Sequence, residues 1–161
     1  MNIARPALLC ALTSFLLAAT DPFVGTWKLN VSKSKFAPDA PRFFLATIQI
    51  ESAGNKLKST ASAADGQGIV SDFTFSCELD GTPCTVTPAT LPMRSASAVD
   101  TITLKRIDSN TIVATGTKNG KPIYSDRRVV SVDGRTMTAV RDGTTPEGKK
   151  YKSTIVLNRS R

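Results

Sequence analysis

The 161-residue chain contains no histidine. That removes the commonest general base at neutral pH, every imidazole-dependent triad, and the zinc sites that rest on histidine. Its three cysteines never form a Cys-x-x-Cys pair, so a redox or metal role for them is disfavoured. Gly-x-Ser-x-Gly, a phosphate loop and a dinucleotide-binding glycine motif are all missing, which removes the usual hydrolase and nucleotide-binding signatures. Aromatic residues make up only 6%, with seven Phe, two Tyr and a single Trp, and they are not interleaved with basic residues as in a nucleic-acid-binding face. Carboxylate chemistry stays open in principle. Asp72, Asp100 and Asp126 fall within predicted strands, but nothing in the sequence brings two of them together. Asp126, beside Arg127 and Arg128, reads as a surface charge cluster. These absences predict a protein without metal, cofactor or catalytic residues.

Long apolar runs are also scarce, with one exception. "PALLCALTSFLLAA" follows Arg5 and ends in small residues before Asp21. A basic start, a short apolar stretch and a small-residue end predict a secretory signal over residues 1–20. The run is too short to span a bilayer, and no basic stop-transfer cluster follows it. Cys10 follows Leu8-Leu9, where lipid attachment would want a small residue. Residues 21–161 then form one domain, secreted or periplasmic, with a size that permits a sizeable core. The sequence carries 21 Lys+Arg against 13 Asp+Glu, scattered without a basic run. This reads as a solvated mixed-charge surface, with a polyanion-binding face as the competing assignment.

What is present is alternation. From Phe23 onward apolar and polar residues alternate, broken by turn signals such as Asp65-Gly66, Asn119-Gly120 and Asp133-Gly134. This predicts an all-β fold, an antiparallel up-and-down meander of about ten strands. Such a sheet removes its edges by closing into a barrel, with a half-open sheet as the competitor. In "SDFTFSCELDGTPCTVT" the Asp80-Gly81 pair predicts a two-residue hairpin that sets Cys77 opposite Cys84 as a disulfide. Pro83, lacking an N–H, should face outward on an unpaired edge or a bulge. The segment 32–42 holds two prolines and leaves room for one helical turn.

The alternation also assigns faces. Phe23, Gly25, Trp27, Leu29 and Val31 share a side of the first strand. Ile69, Phe73, Phe75 and Cys77 do so in the fourth, and Tyr151, Ile155 and Leu157 in the last. Several middle strands are rich in Ser, Thr and Ala, so a barrel built from them keeps an unfilled lumen. Four residues could line it: Tyr124, Arg128, Arg141 and Tyr151. In "PIYSDRRVVSV" either Tyr124, Arg128, Val130 and Val132 face inward, or Ile123, Arg127 and Val129 do. In the first setting Arg128 with a tyrosine phenol could hold a carboxylate or other anion.

The stretch "FVGTWKL" at 23–29 resembles the first-strand signature of the calycins, the lipocalins and fatty-acid-binding proteins. The longer pattern "FVGTWKLNVSKSKFAPDAPR", "DTITLKRI", "RRVVSVDGRTMTAV" and "GTTPEGKKY" is similar to small exported bacterial lipocalin-like proteins of unassigned function. The resemblance implies a barrel whose base is plugged by Gly25 and Trp27, with the indole against an arginine near the chain end, best placed at Arg159. It also implies a non-enzymatic carrier of a small apolar or amphipathic ligand. There are departures. The lipocalin Thr-Asp-Tyr motif is missing, the eleven residues after the first strand cannot make the helical lid of fatty-acid-binding proteins, and the tryptophans of an avidin pocket are lacking. A ligand-free structural or protein-interaction module of the bacterial envelope is the alternative expectation. A lumen of several hundred cubic ångströms would favour the carrier.

Overall fold

The computed structural model describes residues 20–68, 70–88 and 99–160. The predicted signal over 1–20, apart from Thr20, lies outside them, as do Ile69 and most of the proline-containing loop at 88–97. The described chain forms eleven strands: β1 (Gly25–Leu29), β2 (Phe43–Ala53), β3 (Lys56–Asp65), β4 (Val70–Glu78), β5 (Asp80–Thr85), β6 (Thr87–Pro88), β7 (Thr101–Asp108), β8 (Thr111–Lys118), β9 (Lys121–Val130), β10 (Thr136–Thr144) and β11 (Lys150–Arg159). The only helical piece among them is a 3-10 turn at Val31–Lys33, capped by the Asn30 side chain.

The strands make one antiparallel sheet in the order β5-β7-β8-β9-β10-β11-β1-β2-β3-β4-β6. From β1 to β4 and from β7 to β11, neighbours in sequence are neighbours in the sheet, as short turns favour. Asn119 and Gly120, with φ of 48° and 73°, make the tight link from β8 to β9 that the right-handed strand twist favours. The first and last strands meet in mid-sheet, where Trp27 pairs with Arg159. The sheet therefore curls into a nearly closed barrel whose seam lies in the middle of the chain, where β4 packs against β5 and β7.

That seam departs from the hairpin expected at Asp80-Gly81. The ladder of β5 is made with β7, through Cys84–Ile102 and Pro83–Thr103. Asp80 accepts from the Thr82 N–H at 2.8 Å and from the Thr82 hydroxyl at 3.0 Å. This local turn carries the chain across the seam to β7, so β5 does not fold back along β4. Pro83 lies exposed on the terminal strand of the sheet order. Cys77 and Cys84 are nevertheless bonded, with 5.4 Å between their Cα atoms. A covalent bond bridges the sheet where its hydrogen-bond ladder is interrupted.

One end of the barrel is closed by side chains. Trp27 is fully buried, and its indole N–H donates to the Phe23 carbonyl at 2.8 Å. The Arg159 guanidinium lies 4.3 Å over the indole ring. Its N–H groups donate to the carbonyls of Pro22 (2.6 Å), Gly134 (2.6 Å) and Val24. Gly25 sits at φ 135° with the guanidinium where a Cβ would project, so the motif needs glycine for both conformation and space. Arg106 of β7 forms a second clamp: it pairs with Asp21 and lies 5.6 Å over the Phe23 ring. Buried Leu57, Leu104, Ile112, Val130 and Leu157 join this base in one apolar core.

Val31 does not join the inward face of β1. It starts the 3-10 turn and is exposed, because the chain leaves β1 at Asn30 and runs along β11. Lys35 and Thr154 exchange backbone bonds of 2.7 and 2.8 Å there. Val132 is likewise exposed, on the β9–β10 turn.

Candidate functional site

Above the plugged base the barrel keeps a cavity of about 140 Å³. This is smaller than the several hundred cubic ångströms usual for ligand pockets. It is close to the roughly 150 Å³ of an engineered apolar cavity that admits benzene. Small inward residues on β3 and β10, including Ser59, Ala61, Ala63 and Ala139, leave the space. Phe43, Phe73, Phe75 and Ile102 supply much of its apolar wall. A β-bulge between Phe43 and Leu45 shifts the register of β2. It sets Phe44 and Leu45 outside, 59% and 64% exposed, while Phe43 and Ala46 line the lumen.

The polar part of the cavity comes from β9 and β10. Tyr124, Asp126 and Arg128 occupy alternate positions of β9, so they share one face, and all three line the cavity together with Arg141 of β10. Arg127 and Val129 point outward and are exposed, which resolves the two settings left open by the alternation. Tyr151 lies against Gly143 and is partly exposed, outside the cavity lining. It is the one member of the predicted ligand set that the lumen does not include. Gly143 and Gly116 each lie under a tyrosine ring, Tyr151 and Tyr124 respectively, where any Cβ would collide with the ring. The two phenols therefore lie flat against the barrel wall.

Asp126 was expected at the surface, and its side chain is instead 1% exposed. The register places it opposite Arg141. Arg141 Nε and Nη2 donate to its two carboxylate oxygens at 2.6 and 2.7 Å, and Arg128 Nη2 adds a bond of 3.1 Å. A buried carboxylate is tolerated only with such pairing. Desolvation pushes its pKa up, but the charges and hydrogen bonds of Arg141 and then Arg128 outweigh this and hold it below the ordinary aspartate value. Burial opposes the charged form of Arg141 too, and the Asp126 carboxylate more than offsets it, so its pKa rises. Burial also raises the phenols of Tyr124 and Tyr151. The Arg141 guanidinium stacks 3.9 Å over the Tyr124 ring, an arrangement that suits a planar cation.

Asp126 is the residue that pattern reasoning missed. Its signal was available: Tyr-x-Asp-x-Arg on one strand places all three on one face, so an inward Arg128 carries Asp126 inward. The other two candidate carboxylates do not join it. Asp72 lies on β4 outside the lining set, and Asp100 accepts from the Asn119 N–H at 2.7 Å. Among the described residues no group of three or more His, Cys, Asp or Glu could hold a metal ion, and no helix is long and apolar enough to cross a membrane.

No protein-family model and no curated protein sequence matches this chain. Among solved structures, it is similar to the crystal structure of zebrafish ileal bile acid-binding protein complexed with cholic acid. The match has a TM-score of 0.52 and 12% identity, and it covers 87% of this chain and 99% of the other. At that identity the likeness concerns the fold alone, a nearly closed antiparallel β-barrel.

Proposed function

We propose that this protein is an exported, non-enzymatic carrier of a small amphipathic molecule. The observation that carries the reading is a lumen with an apolar wall and one convergent polar cluster, Tyr124, Asp126, Arg128 and Arg141, above a sealed base. Burial of an apolar body against Phe43, Phe73 and Phe75 supplies affinity, and the guanidinium of Arg128 fixes a polar or anionic head. Tyr151 stands toward the open end of β11 and is assigned to contact a ligand that projects from the cavity. Residues 21–161 act as one domain after removal of 1–20, in a secreted or periplasmic setting suited to the Cys77–Cys84 bond. The carrier needs no cofactor or metal, binds no nucleic acid, and is not inserted in a membrane. The bound cholic acid of the similar barrel supports a small-molecule role for this shape.

Native mass spectrometry of protein purified from its own host tests the reading. A retained molecule of defined mass is the expected result. Bare protein that takes up nothing from a panel of lipids and metabolites would overturn it. The modest cavity volume and the exposed Phe44, Leu45 and Val70 would then favour an envelope interaction module.

A further inference from the structure

The cavity is lined by three charged residues, the guanidinium groups of Arg128 and Arg141 and the carboxylate of Asp126. The two cations are not equivalent. Arg141 is held by two short bonds to Asp126 and lies flat on Tyr124. Freeing it for a ligand would strand a buried carboxylate, an expensive step. Arg128 makes a single 3.1 Å bond to Asp126, keeps a side chain 13% exposed, and lies opposite Ala139, which offers no polar group. Among the described residues its other N–H groups have no side-chain or carbonyl acceptor.

Resting on the reading of this lumen as a ligand site, we infer that Asp126 is a specificity-determining residue that sets the charge of the ligand the barrel accepts. By neutralising Arg141 it leaves one unmatched positive charge, so the lumen selects a head group bearing a single negative charge over a neutral or doubly charged one. Without Asp126 two guanidinium groups would face the same space, and a dianion would match them. The same carboxylate keeps Arg141 immobile, so selection rests on Arg128 alone.

The test is calorimetric titration with three six-carbon probes at pH 8: hexanol, hexanoate and hexyl phosphate, which carry zero, one and two negative charges. For the wild-type protein hexanoate should bind about tenfold or more tighter than hexanol, the scale of one charge-assisted hydrogen bond, and hexyl phosphate no tighter than hexanoate. Asp126→Asn should move hexyl phosphate to the tightest place, about tenfold tighter than hexanoate. Arg128→Gln, which leaves the Asp126–Arg141 pair intact, should bring hexanoate down to hexanol and decides the matter if the first variant does not fold. An unchanged order of the three probes in folded Asp126→Asn overturns the inference. So does hexanoate that keeps its advantage in Arg128→Gln. Equal binding of hexanol and hexanoate by the wild type overturns the charge assignment while leaving the ligand site standing. No uptake of any probe overturns both.

Discussion

Two of the barrel's arginine-on-aromatic stacks, Arg159 over Trp27 and Arg141 over Tyr124, differ in what surrounds them. At the base, Arg159 over Trp27 directs its N–H groups to the carbonyls of Pro22, Val24 and Gly134. All acceptors are neutral backbone groups of the chain segments that close the base, so the stack ties those segments together. In the lumen, Arg141 over Tyr124 is held by a carboxylate, and a second arginine lies beside it with donors to spare. The indole of the base stack is fully buried in the apolar core, while the lumen stack borders a cavity. One device closes the barrel where carbonyls converge and prepares a charged site where space is left.

Removing each stack should separate these roles. Trp27→Ala deletes a fully buried indole and its bond to Phe23, and should cost about 5 kcal/mol, the upper end for large-to-small core changes. Equilibrium denaturation checks this; a loss under about 1 kcal/mol would show that the indole does not hold the base together. Asp126→Ala should cost about 3 kcal/mol, the lower end for a broken buried ion pair, because both arginine side chains keep some contact with solvent at 13% and 16% exposure.

The same carboxylate sets an acid dependence. Its folded pKa lies below that of an unfolded aspartate, so its contribution is complete above about pH 4 and is lost as pH falls through the folded value. Wild-type stability should therefore fall more steeply below pH 4 than that of Asp126→Asn, as measured by urea unfolding across pH. Parallel curves would remove Asp126 from the acid response.

The seam lies away from both stacks, where the two ends of the sheet order meet. Replacing Cys77 and Cys84 together by alanine should cost about 2–3 kcal/mol, as expected for a short closed loop, with the barrel's circular dichroism retained. Loss of that spectrum would show that the bond holds the whole barrel. The smallest effect belongs to the outer clamp. Arg106→Gln breaks a partly exposed pair with Asp21 and should cost about 1 kcal/mol or less, visible as a small midpoint shift. A change as large as that of Trp27→Ala would make Arg106 an equal part of the plug.

Much of this was legible residue by residue. Gly25, Trp27 and Arg159 could be placed because the first-strand stretch resembles that of the calycins, a resemblance that implies a base plug with an arginine near the chain end. Tyr124 and Arg128 could be put on a common face, because strand period is a property of the backbone. The direction of that face was not legible: it depends on the register of β9 against β10, which pairs Asp126 with Arg141. Asp126 looked like a surface charge because a run of adjacent charges is usually solvated, and its burial is permitted only by cations from the same and the neighbouring strand.

The sequence by itself determined the period, the turns, the antiparallel meander and the chemistry that could not occur without histidine. Each of these follows from local backbone preference or from composition. Only the tertiary structure decided that β5 crosses to β7, that a bulge turns Phe44 outward, and that Tyr151 stands apart from the cavity. It alone decided that Asp126 leaves one unmatched positive charge in the lumen. These depend on which strands lie side by side, and that is settled by packing between segments distant in the chain.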